Sequence, residues 1–107
     1  MHIQIHTDHN IDGREEFASY VKGVVESTLS RFSDMITRVD VHLRDENGEK
    51  TGPDDKRCMM EVRLEGRQPT AVTHLAATLG EAVDGAAEKL KRSIESMMDR
   101  LKDVRRN

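Results

Sequence analysis

The spacing of apolar residues divides this chain into six segments with two different periods. In four segments apolar and polar residues alternate, as in strands with one buried face, and in two segments apolar residues recur every three to four positions, as on one side of a helix. The order is strand, helix, three strands and helix. Because each helix has a single apolar stripe, both helices must cover one face of the sheet. The sequence therefore predicts an α+β fold of order β-α-β-β-β-α, with a four-stranded mixed sheet and two helices on one face.

Alternation predicts strands over residues 2–6, 36–45, 57–65 and 70–75, the last with an unclear register. We expect the first two strands to be parallel and the rest to form an antiparallel meander. The face away from the helices is then polar and exposed to water. It carries His2, Gln4, His6, Arg38, Asp40, His42, Arg44, Glu61 and Arg63.

Helical spacing covers about residues 13–31 and 79–103. Capping-box patterns precede both helices, at Asp12–Glu15 and Thr78–Glu81. Gly23 lies inside the first helix, where glycine is unfavourable, and this predicts a close packing contact there. The polar stretch 45–55 is too long for a tight turn and predicts a long hairpin loop.

The chain of 107 residues is long enough for one domain, and we assign residues 1–107 to it. No apolar stretch approaches the ~20 residues that span a bilayer, and the first residues lack a secretory signal pattern. The single cysteine, Cys58, cannot form an internal disulfide and lies at a core-facing strand position, so we expect a buried, unreactive thiol. These features favour a cytoplasmic protein that does not enter membranes.

The net charge of −3 hides an uneven distribution. Residues 1–55 hold 6 basic and 12 acidic side chains, whereas residues 56–107 hold 11 basic and 8 acidic ones. A local basic face can bind phosphates even on an acidic protein. The aromatic residues are only Phe17, Tyr20 and Phe32, too few for a base-stacking platform. If the domain binds nucleic acid, we expect it to recognise backbone and shape.

The residues that fill this pattern resemble one family. The matching features on the last helix are Ala82-Val-Asp84 and the Lys89-Leu-Lys-Arg92 run with Ile94. Earlier features are Ile3-x-Ile5, Ile11-Asp12, Phe17, Tyr20-Val21, Phe32 and Val39-Asp-Val-His-Leu43. In their order and spacing they resemble the ribosome hibernation-promoting factor and ribosome-associated inhibitor family, whose fold is like the double-stranded RNA-binding domain.

The resemblance implies a translation regulator that binds the small ribosomal subunit and sterically blocks the path of transfer RNA and messenger RNA. It implies that Lys89 and Arg92 contact ribosomal RNA, with Lys91 as a further basic residue beside them. The sequence ends soon after the last helix, so we expect no C-terminal dimerisation domain of the kind that long family members have.

The sequence also departs from the family pattern. Gly80 stands where the family has a tyrosine. Basic residues of the family are replaced at Gly23, Val24, Ser27, Ser96 and Met98. An alternative hypothesis is therefore a protein-interaction or stress-associated module that kept the fold and lost ribosome binding, with the acidic first half as its working surface.

The candidate nucleic-acid-binding residues are Lys89, Lys91 and Arg92, with Lys22, Arg31 and Arg100 as weaker additions. Glu88 and Glu95 lie within helical ion-pairing distance of this run, so a solvated charged face is the competing interpretation. His2, His6, His42 and Asp40 could share a face, but no short-spaced ligand motif is present and we predict no metal site. No phosphate loop or nucleophile motif occurs, so we predict no enzyme activity, no cofactor and no small-molecule substrate.

Overall fold

The computed structural model describes the backbone of residues 1–7, 14–45 and 55–106. It describes the side chains of residues 1–7, 15–45 and 55–101. Its strands are β1 (His2–Thr7), β2 (Ile36–Asp45), β3 (Lys56–Leu64) and β4 (Thr70–Ala76). Its helices are α1 (Arg14–Thr28) and α2 (Leu79–Arg106), and a short 3₁₀ turn spans Ser30–Phe32. The predicted α+β fold and element order are confirmed. None of the described helices is long and apolar enough to cross a membrane.

The four strands form one mixed sheet in the order β1-β2-β3-β4. β1 is parallel to β2, and the other neighbouring pairs are antiparallel. The register of β4, which the sequence left unclear, places Thr70 opposite Val62 and Ala76 opposite Lys56. Val72 and His74 therefore share the inner face with the core residues of β3, while Thr73 and Leu75 lie on the open face.

The core lies between the inner sheet face and the two helices. Side chains from β2, β3 and both helices pack into it, and burial of this apolar surface is the main stabilising contribution. The fully buried members include Val21, Val25, Leu29, Val39, Val41, Cys58, Met60, Val62, Ala86, Leu90 and Ile94. Met97 and Met98 pack against the edge of this cluster.

The first helix ends earlier than predicted. α1 stops at Thr28, and the chain continues through Leu29 into the 3₁₀ turn. Leu29 has φ −102° and ψ 11°, outside the helical region, and this turn lets both Leu29 and Phe32 reach the core. Asp12 of the first capping box and most of the predicted loop lie outside the described residues. The second capping box is present in part, because the Thr78 hydroxyl accepts a hydrogen bond of 3.1 Å from the Glu81 amide.

Two glycines lie inside the helices in opposite environments. The expected packing contact at Gly23 is wrong, because no atom lies within 4 Å of the position that a β carbon would occupy there. At Gly85 on α2, that position overlaps the imidazole ring of His74. An alanine at residue 85 would therefore force the His74 ring to move.

We expect Gly85→Ala to destabilise the protein by about 1–2 kcal/mol. The added methyl group displaces the His74 ring, and the free-energy cost of this displacement exceeds the gain in helix propensity from glycine to alanine. Gly23→Ala is the matched control and should stabilise by about 0.5–1 kcal/mol. Urea unfolding of both variants measures the difference. The double variant Gly85→Ala with His74→Ala should be more stable than Gly85→Ala alone, and a double variant no more stable than the single one would contradict the assigned clash.

Cys58 is fully buried, and burial raises the pKa of its thiol to about 12. The expectation of a buried thiol is confirmed. At about pH 8 the group is almost wholly protonated, and the thiolate is the reactive form. A thiol-specific reagent should therefore modify the native protein far more slowly than the urea-unfolded chain, and equal rates in the two states would be incompatible with this burial.

Candidate nucleic-acid interface

The apolar stripe of α2 decides where its charged residues point. Ala82, Ala86, Leu90 and Ile94 on this stripe are fully buried. Successive residues of a helix are rotated by about 100°, so residues two apart, such as 89 and 91, lie about 200° apart around the axis. The predicted basic run is thereby divided between two flanks of α2, one beside β4 and one beside α1.

The β4 flank begins with Lys89. Its ammonium Nζ donates a hydrogen bond of 2.9 Å to the Thr73 carbonyl oxygen of β4. β4 is an edge strand of the sheet, and a lysine over an unpaired edge protects it from pairing with another chain. Lys89 therefore has a structural role at this edge, and its positive charge remains at an exposed position.

Two further basic residues continue along this flank. Arg92 lies one turn after Lys89, and Arg100 lies about 16 Å further along the axis than Lys89. Both are exposed. Arg100 shares a groove of about 440 Å³ with Arg67 of the β3–β4 turn, lined also by Met97 and Thr70. We call Lys89, Arg92, Arg100 and Arg67 the basic ribbon.

The α1 flank of α2 is mainly acidic. Asp84, Glu88 and Glu95 lie on it together with Lys91. The Tyr20 hydroxyl of α1 donates a hydrogen bond of 2.8 Å to Asp84 Oδ1, which joins the two helices. This hydrogen bond to the carboxylate raises the pKa of Tyr20. Lys91 is therefore beside carboxylates, and the structure separates it from Lys89 and Arg92.

Arg31 and Lys22 are also separated from the basic ribbon. Arg31 of the 3₁₀ turn lies 3.7 Å from Glu95 across the gap to α2 and keeps 71% of its side chain exposed. Lys22 follows Tyr20 by two residues on α1, so it lies on the side of α1 that faces away from α2. The six predicted residues thus do not form one surface.

Within the part of the chain that the structure describes, only one of these six residues forms an ion pair. That residue is Arg31, and the other described ion pairs involve His6, Arg38, Lys56, Asp40, Asp45 and Asp55. No described carboxylate lies within 4.0 Å of the Lys89 ammonium or the Arg92 guanidinium. The β4 flank therefore presents basic groups available for phosphate contact.

Sequence reasoning missed Arg67. The residue is isolated in the chain, and only the packing of the Gly66–Pro69 turn beside α2 brings it next to Arg100. The available signal was the antiparallel meander predicted for the last three strands, which places a turn between the third and fourth strands.

The open face of the sheet carries a polar network, as predicted. Arg38 donates hydrogen bonds from Nε and Nη2 to Asp40, at 2.9 to 3.1 Å, and from Nη2 to Gln4. The Arg38 guanidinium holds the pKa of Asp40 below its usual range. His6 and His42 stack with ring centroids 4.5 Å apart. Among the described residues, no three His, Cys, Asp or Glu side chains are grouped so as to hold a metal ion.

The class of protein follows from this arrangement: a small α+β domain whose two helices cover one face of a mixed sheet and whose last helix carries a basic ribbon at the sheet edge. Residues 3–102 match the family described as sigma 54 modulation protein / S30EA ribosomal protein. The chain belongs to this family of ribosome-associated proteins, which confirms the resemblance to the hibernation-promoting factors. The family is not an enzyme family.

Solved structures share the fold. The N-terminal domain of Protein Y from Thermus thermophilus superposes with a TM-score of 0.72 at 21% identity, over 91% of this chain and 99% of that one. A ribosomal subunit interface protein from Coxiella burnetii gives a TM-score of 0.69 at 18% identity, over 92% of this chain and 99% of that one. No curated protein matches the sequence.

Proposed function

We propose that this protein is a cytoplasmic translation regulator that binds the small ribosomal subunit through phosphates of ribosomal RNA. The observation that carries the proposal is the basic ribbon, in which Lys89, Arg92 and Arg100 follow one flank of α2 and Arg67 joins them from the turn. Arginine and lysine side chains bind phosphates by charge-assisted hydrogen bonds. Family membership supplies the ribosomal context.

The proposed mechanism is steric. The domain occupies the path of transfer RNA and messenger RNA on the subunit and needs neither a reaction nor a cofactor. The ribbon fixes its orientation, because several phosphate contacts spaced along about 16 Å of helix define a direction as well as a position. Lys89 is rotated by about 100–140° from Asp84, Glu88 and Glu95, so repulsion at its phosphate contact is small, whereas Arg92 has Glu88 as its neighbour one turn earlier.

Co-sedimentation with purified small ribosomal subunits tests the ribbon. We expect K89A/R92A to lose about tenfold in affinity at low salt and to reduce the slope of log affinity against log salt by about 1.4 to 1.8, because two phosphate contacts are removed. The matched control is K22A/K91A, which changes the net charge equally and lies off the ribbon. It should stay within about twofold of the unchanged protein.

Equal losses in the two double variants would mean that net charge alone governs the association, and the ribbon would have no specific role. Absence of the unchanged protein from the subunit pellet at low salt would instead support the alternative protein-interaction module.

Competition tests the steric mechanism. Small subunits that already carry messenger RNA and initiator transfer RNA should bind the protein far more weakly than empty subunits, because both occupants need the same space. The same sedimentation assay measures this, and undiminished binding to the loaded subunits would exclude occupancy of that path.

A further inference from the structure

The β3–β4 turn, residues 65–69, forms an exposed ridge at the end of the sheet beside the last turns of α2. Its shape is fixed locally. Gly66 has φ +74°, a left-handed conformation that favours glycine. The Arg67 amide donates a hydrogen bond of 3.1 Å to the Leu64 carbonyl oxygen, and Pro69 has a restricted φ of its own. The ridge is therefore a preformed feature of the surface.

A groove lies on each side of this ridge. The helix-side groove, of about 440 Å³, is the one that Arg67 shares with Arg100, and no described acidic residue lines it. The open-side groove, of about 730 Å³, has Arg63, Arg67 and Glu65 as its charged lining residues. Two arginines face one carboxylate there, so both grooves are net positive. Arg67 lies on the ridge, and one further arginine borders the ridge on either side.

These two flanking arginines lie on opposite faces of the sheet. The residue before Arg63, Val62, is buried in the core, so the Arg63 side chain points to the open face. Arg100 belongs to α2, which covers the inner face. The basic surface at this end of the molecule therefore continues from the basic ribbon around the turn and onto the open face.

Arg63 is available for a bound anion. It lies directly opposite Arg38, and like charges placed across two strands are unfavourable. Asp40 and Gln4 accept the hydrogen bonds of the Arg38 guanidinium. Arg63 is exposed, and among the described residues no carboxylate lies within 4.0 Å of its guanidinium. An anion beside Arg63 would reduce the repulsion between the two arginines.

A ridge between two positive grooves is complementary to a groove between two phosphate backbones. The minor groove of A-form RNA is wide and shallow, and proteins recognise it by shape and by contacts to 2′-hydroxyl and phosphate groups. The minor groove of B-DNA is only about 6 Å wide. The backbones of two neighbouring strands are already about 4.8 Å apart. A two-stranded turn with its side chains therefore suits the minor groove of RNA better than that of DNA.

We infer that the β3–β4 turn enters the minor groove of an A-form RNA duplex, with one phosphate backbone bound by Arg63 and the other by Arg100. Gln68 lies on the ridge, where its amide can exchange hydrogen bonds with 2′-hydroxyl groups. The inference rests on the proposed function and deepens it, since it names a double-helical segment as the bound form of RNA and adds Arg63 to the contacts.

Fluorescence anisotropy of the full chain with a labelled RNA duplex of about 16 base pairs tests this contact. The DNA duplex of the same sequence and the single RNA strand are the comparison probes. At about 50 mM salt the RNA duplex should bind at least about tenfold more tightly than either, because it alone offers a wide, shallow groove between two backbones.

The double variant R63A/R100A removes one arginine from each groove. It should bind the RNA duplex about tenfold more weakly and lower the slope of log affinity against log salt by about 1.8, because two phosphate contacts are lost. The matched control is K22A/K91A, which changes the net charge equally and lies away from the turn. It should stay within about twofold of the unchanged protein. Thermal melts verify that both variants are folded.

Equal affinity for the three probes, or equal losses in the two double variants, would overturn the inference, since general attraction to phosphates would then be sufficient. Binding to small ribosomal subunits without a preference for the RNA duplex would also overturn it and would leave the proposed function intact. A preference for the RNA duplex without binding to subunits would support the turn contact and contradict the proposed function.

Discussion

Burial of the α2 stripe against β3 and β4 determines the rest of the surface. A helix that buries one face on a sheet has its two flanks assigned at the same time, one to the neighbouring helix and one to the sheet edge. Here this constraint places Lys89 where it donates a hydrogen bond to the Thr73 carbonyl oxygen, and Asp84 where it accepts one from the Tyr20 hydroxyl. The His74 side chain occupies the space that a β carbon at residue 85 would take. The function proposed for the ribbon therefore depends on apolar packing.

Net charge is a poor guide to the partners of this protein because its charges are segregated in space. The overall value is −3, yet the described β4 flank of α2 carries Lys89, Arg92 and Arg100. With a Debye length of about 8–10 Å near physiological ionic strength, a phosphate responds chiefly to the charges closest to it. Asp84, Glu88 and Glu95 are rotated by at least about 100° from Lys89 around the helix, whereas Glu88 lies one turn before Arg92, so repulsion weakens a phosphate contact at Arg92 more than one at Lys89.

The sequence was sufficient for the elements and their order because the hydrophobic period differs between strands and helices. It was insufficient for features that depend on register or packing. The alternation of β4 is weak, so its inner face became clear only from the pairing of Thr70 with Val62. The opposition of Arg44 and Arg57 follows from a register that a long hairpin loop does not determine. The position of Arg67 near Arg100 depends on the packing of a turn against a helix, which the sequence alone does not specify.

The division of the basic run on α2, unlike the strand register, could be predicted from the sequence, because helical geometry alone separates Lys89 from Lys91. Lys89 and Lys91 are close in the chain, but the rotation of about 200° between them places them on different flanks of the helix. Arg92 and Ser96 both lie on the β4 flank, and position 96 falls between Arg92 and Arg100, so the serine there leaves a gap of about two turns within the ribbon. Arg100 then extends the charge on the same flank, and Arg67 adds a group from a second element. A basic surface drawn from two elements tolerates such a replacement, because its position is set by the packing of α2 on the sheet and not by one run of lysines.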